Sequence, residues 1–254
     1  MPAARTHMID GQSDDWILGD KIMSAEPQSM VTRQDDSEFS DIVSWVLQAL
    51  LYGEEQGIGR DTSLCQNYLN NNMTLGDESS LYYMNAVYCV GNYAQIVKET
   101  AFGPNPDERG KNQINNGTTG MVKSIPFGRL DNNLDMVTVA NGTLAEVKDR
   151  GVLNCGVIVP PEDSENSVSE SKGLVGMGVE YCKTLAASLF IGNYAQVEFF
   201  TFPEDDDSSF HALMNETIDV IVGQRHQRKY DFKSQTLDAF HFSTAYYYGD
   251  EAPR

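Results

Sequence analysis

The stretch "RGVLNCGV", residues 150–157, decides the fold of this chain. It places a charged turn directly before a short apolar run, and an amphipathic segment, "TLAEVKDR" (143–150), precedes it. A short helix that leads into an apolar strand is typical of the start of an α/β domain. Here that start lies more than halfway along a chain of 254 residues. The order of the segments therefore has to be explained together with the fold.

Helical and strand-like segments alternate downstream of residue 150. After the first strand, the helices are predicted in "GVEYCKTLAASLFIG" (178–192) and "DSSFHALMNE" (207–216), and the strands in "AQVEFFTF" (195–202), "TIDVIVG" (217–223) and "AFHFSTAYYYGDE" (239–251). This alternation predicts an α/β fold, a three-layer lobe with a mainly parallel sheet of about five strands. Ligands of such sheets bind at the carboxyl ends of the strands, which fall here at 158–163, 201–206 and 223–230.

The first half of the chain is predicted to be mostly helical. A strand or extended segment precedes a helix in "FSDIVSWVLQALLYGEEQGI", which Asp36 or Ser37 can cap. A second long helix is predicted over about 80–101, with a kink or close packing at Gly91. Residues 103–142 are rich in Gly, Pro and Asn and are predicted to be loop and linker.

The composition is strongly acidic and excludes some partners. Asp and Glu outnumber Lys and Arg by 37 to 18, a net charge of −19. This excess disfavours nucleic acid and anionic membrane surfaces, and it indicates either a solubilising surface or an acidic binding face. No apolar run reaches the length of a membrane span, so direct membrane insertion is not expected. No signal peptide is visible, so the chain is either cytosolic or has lost a targeting segment.

Cysteine spacing and sequons bear on the compartment. The four cysteines contain no Cys-x-x-Cys pair and only four His accompany them, so no metal site is expected. Their even number permits two disulfides, and the alternative is four free buried thiols. Four Asn-x-Thr sequons favour a secretory setting, although chance can supply about half of them. The candidate glycosylation sites are Asn72, Asn116, Asn141 and Asn215.

Catalysis is not expected. His211, His226 and His241 lie near strand ends, but no Ser or Cys nucleophile motif accompanies them. The "GMG" at 176–178 lacks the third glycine of a dinucleotide site, and the chain has no P-loop or His-Glu-x-x-His pattern. We therefore expect a protein that is not an enzyme and that needs no cofactor.

Five segments of the second half resemble, in order, the N-terminal part of amino-acid substrate-binding proteins of bacterial ABC transporters, especially the general L-amino-acid-binding group. They are "TLAEVKDRGVLNCGV", "GMGVEYCKTLAASLFIG", "VEFFTF", "LMNETIDVIVGQRHQRKYD" and "FHFSTAYYYGD", within about 143–250. The first half resembles the C-terminal part of the same family over about 22–130. There the segments are "IMSAEPQSMVTRQDDSEFSDIVSWVLQALLYGEEQGI", "NAVYCVGNYAQIVKETAFG" and "IPFGRL".

The resemblance explains the late start of the α/β pattern. The family's C-terminal segment comes first here and its N-terminal segment second, and both belong to one lobe of a two-lobed periplasmic-binding-protein-like (type II) fold. The resemblance thus implies a single lobe in circularly permuted order, as excision from a tandem repeat would produce. We expect residues 1–20 to be a flexible N-terminal segment. The lobe then occupies 21–250, built from 21–130 and 143–250 with 131–142 as linker.

The resemblance also implies a disulfide between Cys155 and Cys182. Cys65 and Cys89 fall outside the family pattern, and they form either a second disulfide or two buried thiols.

Amino-acid binding requires partners for a carboxylate and an ammonium group. A bidentate Arg suits the carboxylate, and an Asp or Glu suits the ammonium. The family's Arg-x-Thr-Thr-Trp-Thr-x-x-Arg-Asp signature aligns with "GQRHQRKYD" (223–231), where Gly223 stands at the first Arg position. The alternative is that the charged residues of these loops are only solvated. The candidate ligand-binding residues are Gln224, Arg225, Arg228 and Glu162.

Two functions follow from the altered signature and the absent second lobe. The first is a solute-binding-protein-like domain for an L-amino acid or a similar small polar solute, with binding weakened or lost. The second is an extracellular structural or protein-interaction module from a tandem-repeat protein. In both cases we expect an extracytoplasmic chain (secreted, periplasmic or in the secretory pathway) that is able to form a homodimer or a swapped assembly.

Overall fold

The computed structural model describes ten stretches of the chain. They are residues 26–70, 83–102, 109–110, 112–114, 120, 122–123, 142–159, 176–203, 207–225 and 239–249. The segment 1–20 and the linker residues 131–141 lie outside the described residues, so their predicted character stays a prediction.

Helices and strands alternate from Thr143 to Arg225, whereas the first half of the described chain is one strand followed by helices. The helices are α1 (Ser37–Glu55), α2 (Thr62–Asn70), α3 (Met84–Cys89), α4 (Tyr93–Val97), α5 (Thr143–Arg150), α6 (Met177–Leu189) and α7 (Ser208–Met214), and a π-helical turn (Lys98–Phe102) follows α4. The strands are β1 (Glu26–Arg33), β2 (Leu153–Val159), β3 (Val197–Pro203), β4 (Val220–Arg225), β5 (Phe240–Phe242) and β6 (Tyr247–Gly249).

The described strands form one mixed sheet. Its order is β3-β2-β4-β1-β5, and β6 pairs with β1 beside β5. Strands β3, β2 and β4 are mutually parallel, whereas β1 runs antiparallel to β4, β5 and β6. The α/β class is therefore confirmed, and the first half of the chain contributes one interior strand to a sheet built by the second half.

Helices cover both faces of the sheet. Successive side chains of a strand point to opposite faces, and both faces here carry apolar side chains that the helices bury. Val220 and Val222 of β4 belong to the larger core, which α1 and α3 to α6 complete. Ile221, between them, faces the smaller core, where α7 contributes Phe210 and Leu213. The result is three layers, helices on a sheet on a helix, as the sequence pattern predicts.

The described sheet has six strands, where the sequence predicts about five. The segment 239–251, predicted as a single strand, is divided into β5 and β6 along the same edge of β1. The two strands are separated at Ser243. There Met30 N of β1 donates its hydrogen bond to the Ser243 hydroxyl, at 3.0 Å, and not to a backbone carbonyl. Tyr246, which follows, is 1% exposed and belongs to the larger core.

The long helix predicted over 80–101 is also interrupted, at the glycine where a kink was expected. Helix α3 ends at Cys89 and α4 begins at Tyr93. Gly91 between them has φ +123°, a conformation that excludes a continuous helix and that L-residues rarely adopt. Asn92 Oδ1 then caps α4 by accepting a hydrogen bond from Gln95 N, and Gln95 Oε1 accepts one from Asn92 N.

Asp36 joins the two halves of the chain. Its Oδ1 accepts from Phe39 N at 3.0 Å and so caps α1, one of the two caps predicted from the sequence. Its Oδ2 accepts from Thr143 N, the first residue of α5, at 2.6 Å. Arg33 adds a hydrogen bond to the Thr143 hydroxyl at 2.8 Å. One carboxylate thus satisfies the amino ends of two helices that are more than 100 residues apart.

Among the described helices, none is both long enough and apolar enough to span a membrane.

Candidate functional site

The candidate site lies where β2 and β4 separate. From β2 the chain crosses through α6 to β3 on one side and then returns through α7 to β4 on the other side. Because the direction of winding reverses here, the carboxyl ends of β2 and β4 form the topological switch point at which open α/β sheets bind ligands. Strand β2 stays paired with β3 as far as Val159 and Pro203, but its pairing with β4 ends at Val157 and Val222.

Strand β4 contains a bulge at Gly223, where it pairs with β1. Ser29 of β1 pairs with Gln224, and Val31 pairs with Ile221, so Met30 alone faces two residues of β4. Gly223 has φ +90°, which only glycine adopts readily. The bulge therefore changes the direction in which the last two residues of β4 leave the sheet, next to the point where the pairing of β2 with β4 ends.

The amino end of α6 lies over this crevice. A Cβ placed on Gly178 would be 3.0 Å from Val157 Cγ1 and 3.9 Å from the Val222 carbonyl oxygen, so the glycine permits close contact with both strands. Gly176 caps the helix without a side-chain hydrogen bond. The first N–H groups of α6 have no partner within the helix, and together with the helix dipole they favour an anionic group.

Three buried tyrosines support the site from within the larger core. The Tyr181 and Tyr246 ring centroids are 4.3 Å apart, and Tyr93 Oη donates a hydrogen bond of 2.7 Å to the Tyr246 carbonyl. Burial raises the pKa of all three hydroxyls, and the N–H of Gly223 moderates the rise for Tyr246. The tyrosines therefore stay neutral at physiological pH, and this part of the core carries no charge of theirs.

The arginines with described side chains are already paired. Within that part of the chain, each of the four contacts a carboxylate, so none is free to anchor a ligand carboxylate. The pairs are Arg33 with Glu216, Arg60 with Glu99, Arg109 with Glu54 and Arg150 with Asp219.

The structure locates the predicted ligand-binding residues in part. Gln224 and Arg225 are the last two residues of β4, and the structure describes their backbone. Glu162 and Arg228 lie outside the described residues. In the sequence, Glu162 comes three positions after the end of β2, and Arg228 comes three positions after the end of β4.

Sequence reasoning missed the contribution of β1 to this edge. Gln28 and Ser29 pair with Arg225 and Gln224, so the first half of the chain borders the candidate site. Ser29 is fully buried, and its hydroxyl has no hydrogen-bond partner among the described residues. No local signal in the sequence could have indicated this, because the pairing joins residues almost 200 positions apart.

The structure contains two disulfides. One joins the pair that the family resemblance implies, and the other decides between the two alternatives for Cys65 and Cys89. Cys155–Cys182 connects β2 to α6, and Cys65–Cys89 connects α2 to α3. The described part of the chain thus contains no free cysteine. Paired cysteines are typical of oxidising compartments, which points to an extracytoplasmic protein.

Only one of the four sequon asparagines lies within the described residues. Asn215 lies in an exposed turn after α7. Asn72, Asn116 and Asn141 lie outside the described residues, so their glycosylation stays a prediction.

Comparison with known proteins indicates one distant relationship. The chain is 30% identical over 119 residues to YhdW of Escherichia coli (strain K12), named "Putative amino-acid ABC transporter-binding protein", and the same values hold for YhdW of E. coli O157:H7. The match covers 41% of this chain and 35% of the relative, so the chain spans about a third of the length of the proteins it matches. No family model matches the chain, and no solved structure matches it significantly.

The similarity to YhdW supports a distant relationship to solute-binding proteins, which agrees with the compartment that the disulfides indicate.

Proposed function

We propose that this chain is one lobe of an amino-acid-binding domain, in circularly permuted order, and that it holds its ligand at the crevice between β2 and β4. The observation that carries the proposal is the combination of a switch point, a bulge at Gly223 and a helix amino end within one edge of the sheet. An amino acid is the class of ligand that the name of the relative YhdW suggests.

The ligand carboxylate would contact the amino end of α6 and an arginine. Because the four arginines with described side chains are paired with carboxylates, the arginine would be Arg225 or Arg228, with Gln224 as a further donor. Glu162 would accept from the ammonium group. In this proposal the chain binds its solute without catalysing a reaction.

The chain geometry also supports a role for a second lobe. Glu26 pairs with Gly249, so the chain enters and leaves the described sheet at neighbouring positions of its ligand edge. Flanking sequence attached at these two positions would lie beside the crevice and could cover it. A single lobe leaves charge pairs in water, where each contributes little. We therefore expect weaker affinity than a closed two-lobed protein provides.

Isothermal titration of the 254-residue chain against the twenty L-amino acids tests the proposal. We expect measurable binding of at least one of them, and its loss in an Arg225→Ala, Arg228→Ala double variant. The matched control is a Lys98→Ala, Lys123→Ala double variant, which removes two exposed cations and should bind as the original chain does. No binding to any amino acid, with the fold verified by circular dichroism, would refute the proposal.

A further inference from the structure

The turn between α7 and β4 contains a complete sequon, Asn215-Glu216-Thr217, that the structure describes in full. Asn215 and Thr217 are both exposed. No residue in the described part of the chain forms a hydrogen bond with either side chain, so both are free to contact an enzyme.

The backbone of this turn is nevertheless fixed. Asn215 N donates to His211 O at 3.0 Å, and Thr217 N donates to Ala212 O at 2.9 Å. The carbonyl of Thr217 accepts from Asn154 Nδ2 at 3.1 Å. A sugar on Asn215 would therefore extend from an ordered surface without displacing any of these bonds.

The sequon at Asn141 differs, because its threonine has a structural role. Thr143 is 2% exposed, its hydroxyl accepts from Arg33, and its N–H donates to Asp36. The fold thus accounts for a threonine at 143 independently of any sugar. The contacts of the described residues give no such account of the Thr217 side chain.

The position of Asn215 is compatible with ligand binding at the opposite edge. Asn215 precedes the amino end of β4, and the candidate site lies at its carboxyl end. Six residues of strand separate the two edges by about 20 Å. The neighbouring Met214 is 43% exposed, so a sugar at this turn would also cover an apolar side chain.

We propose that Asn215 carries an N-linked oligosaccharide. The Nδ2 atom of Asn215 forms a bond to C1 of the sugar of a lipid-linked oligosaccharide donor. The bond between C1 and the donor's pyrophosphate oxygen breaks, the lipid pyrophosphate leaves, and one amide proton passes to solvent. The two disulfides are typical of oxidising compartments, and the lumen of the endoplasmic reticulum, where such donors are used, is one of them.

Secretion of the full chain from a eukaryotic cell, followed by site-specific peptide mass spectrometry, tests this proposal. Enzymatic sugar removal in heavy-oxygen water should convert position 215 to a labelled aspartate in most molecules. Asn215→Gln and Thr217→Ala should abolish the label, whereas Thr217→Ser, which keeps the sequon, should retain it.

An unlabelled Asn215 peptide from secreted chain with both disulfides formed would overturn the proposal. Titration of amino acids against the glycosylated chain and Asn215→Gln should give the same affinity, within twofold. A loss of binding in both would concern the proposed function and leave the glycosylation result unaffected.

Discussion

At the scale of single residues, two buried tyrosine hydroxyls differ in their hydrogen bonding and should therefore differ in their contribution to stability. Tyr93 Oη donates to the carbonyl of Tyr246, whereas the hydroxyl of Tyr181 has no hydrogen-bond partner among the described residues. A buried hydrogen bond contributes about 1 kcal/mol, and an unpaired buried hydroxyl costs about 1–3 kcal/mol. We therefore expect Tyr93→Phe to lower the free energy of unfolding by about 1 kcal/mol and Tyr181→Phe to leave it unchanged or raise it.

Urea unfolding of both variants at pH 7 measures this difference. The two substitutions remove the same atom from similarly buried rings, so each serves as the control for the other. A larger loss of stability for Tyr181→Phe than for Tyr93→Phe would contradict the assignment.

A single carboxylate at the amino edge of the sheet should give the fold a measurable pH dependence. Burial raises the pKa of Asp219 from 3.8 to about 6, and hydrogen bonds from Asn154 N and Arg150 limit the rise. Between these pH values the folded chain binds a proton that the unfolded chain has lost. The contribution of Asp219 to stability is therefore greatest below pH of about 4 and declines as the pH rises to about 6, by up to ~3 kcal/mol.

Asp219→Asn isolates this effect from the other carboxylates. The difference in unfolding free energy between the original chain and Asp219→Asn should fall as the pH rises from about 4 to about 6. A difference that stays constant across this range, measured by urea unfolding, would show that Asp219 titrates normally.

At the scale of elements, the disulfide between Cys65 and Cys89 is the main connection of α2 to the rest of the lobe-forming core. Of its nine residues, only Cys65 is buried, and that residue is bonded to Cys89. Tyr68 adds a stacked contact with Tyr88. We expect the double variant Cys65→Ser, Cys89→Ser to lose up to ~3 kcal/mol of stability through the freed loop. Hydrogen exchange should show protection lost over residues 62–70 and retained in β2 and β4.

The second disulfide provides the matched comparison. Cys155 and Cys182 are both fully buried and connect the sheet to α6. Their replacement by serine should lower protection throughout the larger core, because it places polar groups there. If hydrogen exchange showed loss of protection in the same residues for both double variants, the expectation would be wrong and α2 would be an integral part of the core.

The elements also show what the sequence could predict. Apolar periodicity identified α1, α6 and the strands β2 and β4, because each buries one face or a continuous apolar run. It also identified β3, whose apolar side chains are only partly buried. It did not divide the segment 239–251, because the break depends on a hydrogen bond from Met30 to Ser243 in the tertiary structure.

The candidate site, like the fold, was predicted only in part from the sequence. The strand ends that border the crevice were identified from the alternation of elements. The bulge at Gly223 and the contact with Gln28 and Ser29 were not, since both depend on the pairing of β4 with a strand from the other half of the chain. The residues that a ligand would contact lie partly in connections whose local sequence has no periodicity to interpret.

At the scale of the whole molecule, the order of the two halves can be reversed experimentally. Glu26 and Gly249 are paired on neighbouring antiparallel strands, so a loop of two to five residues can join them. A permuted chain would begin at residue 140, run to Gly249, continue through this loop to Glu26 and end at 130. We expect it to form both disulfides and to unfold within ~1 kcal/mol of the original, because loop-closure entropy changes slowly with length.

A second permuted chain, opened between Leu47 and Gln48 in the buried middle of α1, is the control for cutting the chain at an unsuitable place. It should lose cooperative unfolding, since the cut interrupts a helix that packs against the sheet at several buried positions. Urea unfolding and disulfide mapping compare the two permuted chains directly. If opening the chain at 131–139 were as damaging as opening α1, the segment 131–142 would be a structural part of the lobe. The two halves would then depend on their present order, and the interpretation of the chain as a permuted lobe would have to be abandoned.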